Sequence, residues 1–212
     1  TQLPTTREFS EFARNNCEVD ILDPDDALVT WIDKETRFFN IIMKHQIEQR
    51  IEDGFDSADD FIDYAVSLTN TRRSRMGLSL ENQIEALLVA RNINYDRNQV
   101  TEGTSKPDFI FPSIDDYRNP AFPAWRLNML GVKSTCKDRW RQVLKEADRI
   151  VHKHLCTLER GISVDQTEEM ISENLHLVVP EPFQITYTDQ QLDNILTLRE
   201  FMDKVEYKEA LF

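Results

Sequence analysis

Two acids and a lysine, set in order along one stretch, carry the most chemistry in this chain. Asp108 follows Lys106-Pro107 and precedes the apolar Phe109-Ile110-Phe111. Lys133 ends the run Leu127 to Val132, and Glu146 lies within the amphipathic segment 136–150. A hard divalent cation such as Mg²⁺ takes oxygen ligands and keeps several waters. Asp108 and Glu146 offer two carboxylates, and the backbone carbonyl of Val132 offers a third oxygen. Lys133 is placed to orient or deprotonate an attacking water and to neutralise charge that builds on phosphorus. This is the minimum set for metal-dependent hydrolysis of a phosphodiester without a covalent intermediate. Each member alone has a plainer reading. Pro-Asp is commonly a turn, a lysine after an apolar run is commonly a solvated strand end, and an acid between Lys145 and Arg149 is commonly a surface ion-pair partner. The ordered set is more specific than its members.

For these groups to meet, two strands must lie together and a further element must return Glu146. A short strand is expected at Phe109–Phe111, closed by Pro112, and a central strand at 125–135. Residues 113–123, with Asp-Asp, Asn-Pro and a further proline, read as a loop. The following helix places Trp140, Val143, Leu144, Ala147, Ile150 and Val151 on a buried stripe. Arg139, Gln142, Glu146 and Arg149 then share the opposite face, with Arg139 and Glu146 roughly 10 Å apart along the axis. A strand at 151–158, a helix at 165–173, a strand at 176–179 stopped by Pro180 and Pro182, and a helix at 189–205 complete an α/β alternation.

The first part of the chain is helical in pattern. A short helix is expected from Glu8 to about Cys17. Asp23-Pro24-Asp25-Asp26 starts a long one, with a capping acid, proline in the first turn and acids at the positive end of the dipole. Its apolar positions run from Leu28 and Trp31 to Ile47, and Gly54 ends it. Ser57 starts another, with Phe61, Tyr64, Ala65 and Leu68 on one face. Arg75 to Ser79 reads as a break, with Ser79 capping a new helix to about Arg91 that buries Leu80, Ile84, Leu87 and Leu88. The expected domains are a helical region at 1–75, packed on or extending a catalytic core at 76–212, or one domain over 1–212.

Composition sets limits. The chain has 212 residues, 40% of them hydrophobic, with mean hydropathy −0.52. It has no run of about 18 apolar residues, so no membrane partner is expected. TQLPTTREFS is not a signal peptide in pattern. It lacks an initiator Met, so an upstream effector or DNA-binding domain is expected to be missing. Cys17, Cys136 and Cys156 form no CxxC pair, which favours reduced thiols, a cytoplasmic protein and no zinc site. Net charge is −13, from 25 basic and 38 acidic residues, and taken alone this argues against nucleic acid. The charge is uneven, however. Arg126, Lys133, Lys137, Arg139, Arg141 and Lys145 face a single acid, Asp138, between 126 and 145, and Arg72, Arg73 and Arg75 form a second cluster. A basic surface on an acidic body suits an enzyme that holds DNA at one place.

The order Asp108, Lys133, Glu146 resembles the PD-(D/E)xK nuclease superfamily in a variant form. The usual pattern has an acid two residues before the lysine, where this chain has Gly131, and the missing acid is taken over by Glu146. The run Val132-Lys133-Ser134-Thr135-Cys136-Lys137-Asp138-Arg139-Trp140-Arg141 resembles the type II restriction endonucleases of the NgoMIV, SsoII, PspGI and EcoRII group. The resemblance implies a restriction-endonuclease-like α/β/α core with a mixed sheet, and Mg²⁺-dependent cutting of double-stranded DNA. It also implies a short site such as CC(A/T)GG and a symmetric homodimer.

The same resemblance makes Asp108 and Glu146 the metal ligands, with Val132 beside them, and Lys133 the catalytic lysine. Glu81 corresponds to an acid that holds a metal-bound water, the alternative being a dipole-favoured acid in a first helical turn. Lys137-Asp138-Arg139 stands where relatives read C·G pairs, basic groups to guanine and the acid to cytosine. Tyr117 is placed to touch a phosphate or to pack. Relatives flip a base. Trp31, Tyr64 or an arginine is available for that, although Trp31 on an apolar face reads as core. Two other readings stay open: a DNA-binding module with a decayed site, and a structure-specific repair nuclease.

Overall fold

Five short strands, none able to stand alone, form one sheet, and helices cover both of its faces. The computed structural model describes residues 4–136 and 139–211. The strands are β1 (Asp96–Arg97), β2 (Phe109–Phe111), β3 (Asn128–Val132), β4 (Lys153–Cys156) and β5 (Leu175–Val178), in that spatial order. β1, β2 and β3 pair antiparallel, and β3, β4 and β5 pair parallel. The sheet is therefore mixed. β3 is buried at every position, as a central strand covered on both faces requires.

Alternation along the strands sorts side chains to two cores. Phe109, Phe111, Leu130, Val132, Cys156 and Val178 face one side. There they meet α2 (Pro24–Asp53), α3 (Ala58–Ala90) and α9 (Leu198–Ala210) through Leu28, Trp31, Leu80, Ile84, Leu87, Phe201 and Val205. Ile110, Met129, Leu155, Leu175 and Leu177 face the other side. They pack on α4 (Ile114–Arg118), α5 (Trp140–Val143) and α6 (Val164–Ser172) through Tyr117, Trp140, Val143 and Met170. α1 (Thr6–Asn15) lies on α2 and α3, and α7 (Glu181–Gln184) and α8 (Asp189–Leu192) follow β5. Trp31 is thus a core residue, 3% exposed.

The expected break at Arg75–Ser79 does not occur. α3 runs unbroken through Gly77, and the boundary at residue 75 falls inside it. One glycine costs a helix interior only about 1 kcal/mol relative to alanine, and the neighbouring Met76 packs on the first core. Ser79 is not a cap. It is buried in mid-helix and hydrogen-bonded to the carboxylate of Glu35 on α2.

Other boundaries also move. Residues 113–123 contain α4, capped by Ser113, whose hydroxyl accepts from the Asp116 N–H at 3.0 Å. The central strand is shorter than 125–135, being preceded by a 3-10 turn at Ala124–Arg126. The expected 189–205 helix is two helices, α8 and α9, each opened by its own capping box at Thr188 and Thr197.

The segment after β3 departs most. α5 ends at Val143, and Ala147 takes a left-handed φ of +52°. Trp140, Val143, Ala147 and Ile150 are all buried as the stripe predicts, but a turn delivers the last two. Val151 is 66% exposed and leaves the stripe. Glu146 therefore does not share a helical face with Arg139, Gln142 and Arg149.

Candidate active site

β2 and β3 bring Asp108 and Lys133 together at one end of the sheet. Asp108 immediately precedes β2, and Phe109 pairs with Leu130, so the Asp108 carboxylate lies beside the C-terminal end of β3. Its Oδ2 accepts from the backbone N–H of Val132 at 2.5 Å and from Lys133 Nζ at 2.9 Å. The same ammonium donates to the Val132 carbonyl at 2.9 Å. The backbone N–H of Lys133 donates to the Cys156 carbonyl at 3.0 Å, which ties the lysine to β4. Asp108 is 9% exposed, so the pair is a sheltered one.

Glu146 reaches the same place from the turn after α5. Burial first, and then the nearby Asp108 charge, push its carboxyl up to about 7, against a partial lowering by Lys133 and Lys153. Its Oε2 is buried with no hydrogen-bond partner. Two acids that repel each other, one of them with an unsatisfied oxygen, suit a cation.

Gly131 explains the displaced acid. A Cβ at this position would meet Val143 Cγ2 at 3.1 Å and Cγ1 at 3.2 Å. A carboxylate there would be driven into the second core, against α5. The space beside Gly131 is tight for the usual acid, and the carboxylate of Glu146 is available beside Asp108 instead.

Mg²⁺ fits this donor set. Asp108, Glu146 and the Val132 carbonyl offer three oxygens, and Mg²⁺ completes its shell with water and substrate oxygens. Among the described residues no cluster of three or more His, Cys, Asp or Glu side chains could hold a metal. Two carboxylates and a carbonyl suit Mg²⁺ better than a metal that needs an all-protein cage. Lys133 now lies across two of the three donors, so its ammonium has to move when a cation enters.

The other candidate residues are placed differently. Glu81 stands inside α3, not in a first turn, so the helix-dipole reading falls. Its carboxylate pairs with Arg97 of β1 at 2.8 Å. Arg97 also binds Glu85 at 2.9 Å and stacks over the Phe109 ring at 5.7 Å, which ties α3 to the sheet. Tyr117 is on α4, not a loop, and is 3% exposed. Its hydroxyl donates to Glu102, accepts from the Arg149 N–H at 3.3 Å, and packs in the second core. That environment corrects the phosphate-contact reading in favour of packing, because the hydroxyl is already engaged. Arg139 is exposed at the start of α5. Lys137 and Asp138 lie outside the described residues.

Two residues near the site were missed in the sequence. Lys153 heads β4 and is buried, with its field on Glu146. Glu102, in the polar stretch before β2, holds the Tyr117 hydroxyl and keeps its Oε2 buried without a partner. No local signal marks either of them.

Comparison with known proteins shows the family and the fold. The family model described as EcoRII C terminal matches residues 39–202. The chain is 39% identical over 202 residues, 95% of its length and 50% of the relative's, to the type II restriction enzyme EcoRII of Escherichia coli. It is 28% identical over 155 residues, 62% of its length and 48% of the relative's, to the type II restriction enzyme SsoII of Shigella sonnei. The chain spans about half the length of these curated relatives. Among solved structures it is similar to a PspGI–substrate DNA complex, with a TM-score of 0.79 and 19% identity over 97% of this chain and 93% of that one. It is also similar to metal-depleted Ecl18kI in complex with uncleaved DNA, with a TM-score of 0.77 and 20% identity over 98% of this chain and 79% of that one. At those identities the likeness establishes the fold, a mixed sheet between helices as in restriction endonucleases.

Proposed function

The chain belongs to the EcoRII C-terminal family, and from that premise we propose that it cuts phosphodiester bonds in double-stranded DNA with the help of Mg²⁺. The observation that carries the proposal is the meeting of Asp108, Lys133 and the unsatisfied Glu146 at one end of β3. Held by Asp108, Glu146 and the Val132 carbonyl, Mg²⁺ would supply Lewis acidity to the phosphoryl oxygens. Asp108 is aligned by the Val132 N–H, and Lys133 carries the positive charge that answers the charge gained by phosphorus. Leaving Asp108 for the phosphate costs Lys133 little if the cation takes its place.

Sequence reading belongs to the segment Lys137-Asp138-Arg139 in this proposal, with a CC(A/T)GG-like site as the target. Arg139, exposed beside the catalytic end of the sheet, fits contact with a base edge. A symmetric homodimer would present two such sites to the two strands. Exposed Phe61, Ile62 and Val66, which lie together on α3, offer an apolar surface for the second copy.

The test is cleavage of plasmid DNA in Mg²⁺ and in EDTA, with Asp108→Ala alongside. Discrete Mg²⁺-dependent fragments that vanish in the variant are the expected result, and end-sequencing then gives the site. A Mg²⁺-dependent smear would favour a structure-specific or non-specific nuclease. DNA binding without cutting by folded protein would favour a binding module with a decayed site. The crowding at Gly131 weighs against decay, because it gives a reason for the acid to stand elsewhere.

A further inference from the structure

Glu146 lies beyond the end of α5, so no helix fixes it, yet its neighbours are tied on every side. The Ser105 hydroxyl donates to the Lys145 carbonyl at 3.1 Å. The Glu146 N–H donates to the Val143 carbonyl at 3.1 Å. The Ala147 N–H donates to the Thr101 hydroxyl at 3.3 Å, and the Ala147 carbonyl accepts from Lys153 Nζ at 3.1 Å. Lys153 Nζ also donates to the Ile150 carbonyl at 2.9 Å. The backbone is held on both sides of Glu146, while one carboxylate oxygen is left without a bond.

Lys153 is an unusual choice for that task. It is 7% exposed on the second face of the sheet, beneath the turn. Burying an ammonium costs several kcal/mol unless it is well paired. Here two carbonyls receive it, and Glu102, Glu146 and Asp148 surround it with negative charge. Ala147 adds to the cost, since a residue with a side chain at φ +52° is strained by about 1 kcal/mol or more. Neutral packing would be cheaper at both positions, so the arrangement points to a demand on the turn itself.

We propose that Lys153, with Thr101 and Ser105, positions Glu146 as a metal ligand. Lys153 fixes the turn from beneath through two carbonyls and offsets the charge of Glu146 before a cation arrives. Thr101 and Ser105 fix it from the loop that faces it. The inference rests on the metal-dependent reading above and names positioning residues, not catalytic ones. Outer partners of this kind typically contribute 10–100-fold to metal affinity.

The experiment is Mn²⁺ binding to the intact chain, followed by electron paramagnetic resonance, beside DNA binding in EDTA. The variants are Lys153→Met, Lys153→Arg, the double Thr101→Val/Ser105→Ala, and Asp108→Ala as control. The expected result is that Lys153→Met binds Mn²⁺ at least tenfold more weakly, with DNA affinity in EDTA unchanged, and that Lys153→Arg recovers part of the loss. A folded Lys153→Met with the affinity of the parent overturns the inference. If Lys153→Met fails to fold, the double variant decides: a tenfold loss supports the clamp and an unchanged affinity overturns it. A parent chain without Asp108-dependent Mn²⁺ binding overturns the metal reading, and the inference with it.

Discussion

Lys133 holds the two groups that a cation would claim, Asp108 and the Val132 carbonyl. Removing the ammonium therefore has opposite effects on binding and on cutting. Lys133→Ala is expected to bind Mn²⁺ at least as tightly as the parent and to cut DNA at least 100-fold more slowly, in the range of single general-acid or charge contributions. Calorimetry and a cleavage time course would separate the two, and weaker binding in the variant would remove the competition argument. At Gly131 the prediction concerns space. Gly131→Ala is expected to cost about 1–3 kcal/mol by overpacking, and Val143→Ala in the same chain should return part of it, because Val143 is what the new methyl meets. Denaturant midpoints of Gly131→Ala, Val143→Ala and the double variant check this, the return being read as the coupling between the two sites. That Asp108, Lys133 and Glu146 meet was legible because each had an ordered place relative to an apolar run. Lys153 was not, since a lysine at the head of a strand looks the same whether its ammonium reaches water or two carbonyls.

At the scale of elements, apolar periodicity shows which residues are buried but not by what path the chain brings them there. Trp140, Val143, Ala147 and Ile150 were all expected on one stripe, and all are buried. A left-handed alanine inside the stripe, and a lysine at the head of the next strand that binds its carbonyl, turn that stripe into a short helix and a turn. α3 shows the reverse error. Gly77 and Ser79 are local break and cap signals, and burial of Leu80, Ile84 and Leu87 in the first core overrides them. A Cβ at Gly77 has nothing within 4 Å. Gly77→Ala is therefore expected to stabilise the chain by about 0.5–1 kcal/mol, raising the melting temperature by roughly 1–4 °C. A fall on substitution would mean that α3 is interrupted there after all. The β2–β3 pairing needed no such correction, because Pro112 and the Ser113-capped helix after it leave a short apolar strand few alternatives.

For the molecule as a whole, charge is distributed against its average. Three of the four histidines, His152, His154 and His176, gather with Lys204 and Lys208 where β4 and β5 meet α9, in a chain of net charge −13. His154 and His176 are register partners on adjacent strands. Lys204 Nζ lies 3.0 Å from His154 Nε2, the Phe201 ring covers His154 at 5.0 Å, and Lys208 donates to Asn128 at 2.9 Å. Burial first, and then the neighbouring Lys204, His176, Lys208 and His152, hold His154 well below the usual histidine range, and burial lowers His176 as well. A histidine whose folded pKa is depressed binds fewer protons in the folded than in the unfolded state. Its contribution to stability is complete above the unfolded value near 6.5 and is lost as pH falls below it. Buried Asp25 and Glu35 are shifted upward by burial, so acid relieves them and works in the opposite direction. The raw stability curve mixes the two effects, but a difference between variants separates them. Unfolding free energies of the parent and of His154→Leu, measured in denaturant from pH 7.5 to 5, are expected to differ by a constant above about pH 6.5. Below it the parent should lose up to about 1.4 kcal/mol per pH unit relative to the variant. A difference that stays flat to pH 5 would mean that His154 takes up its proton in the folded chain without penalty, and that the cationic cluster is better solvated than its burial implies.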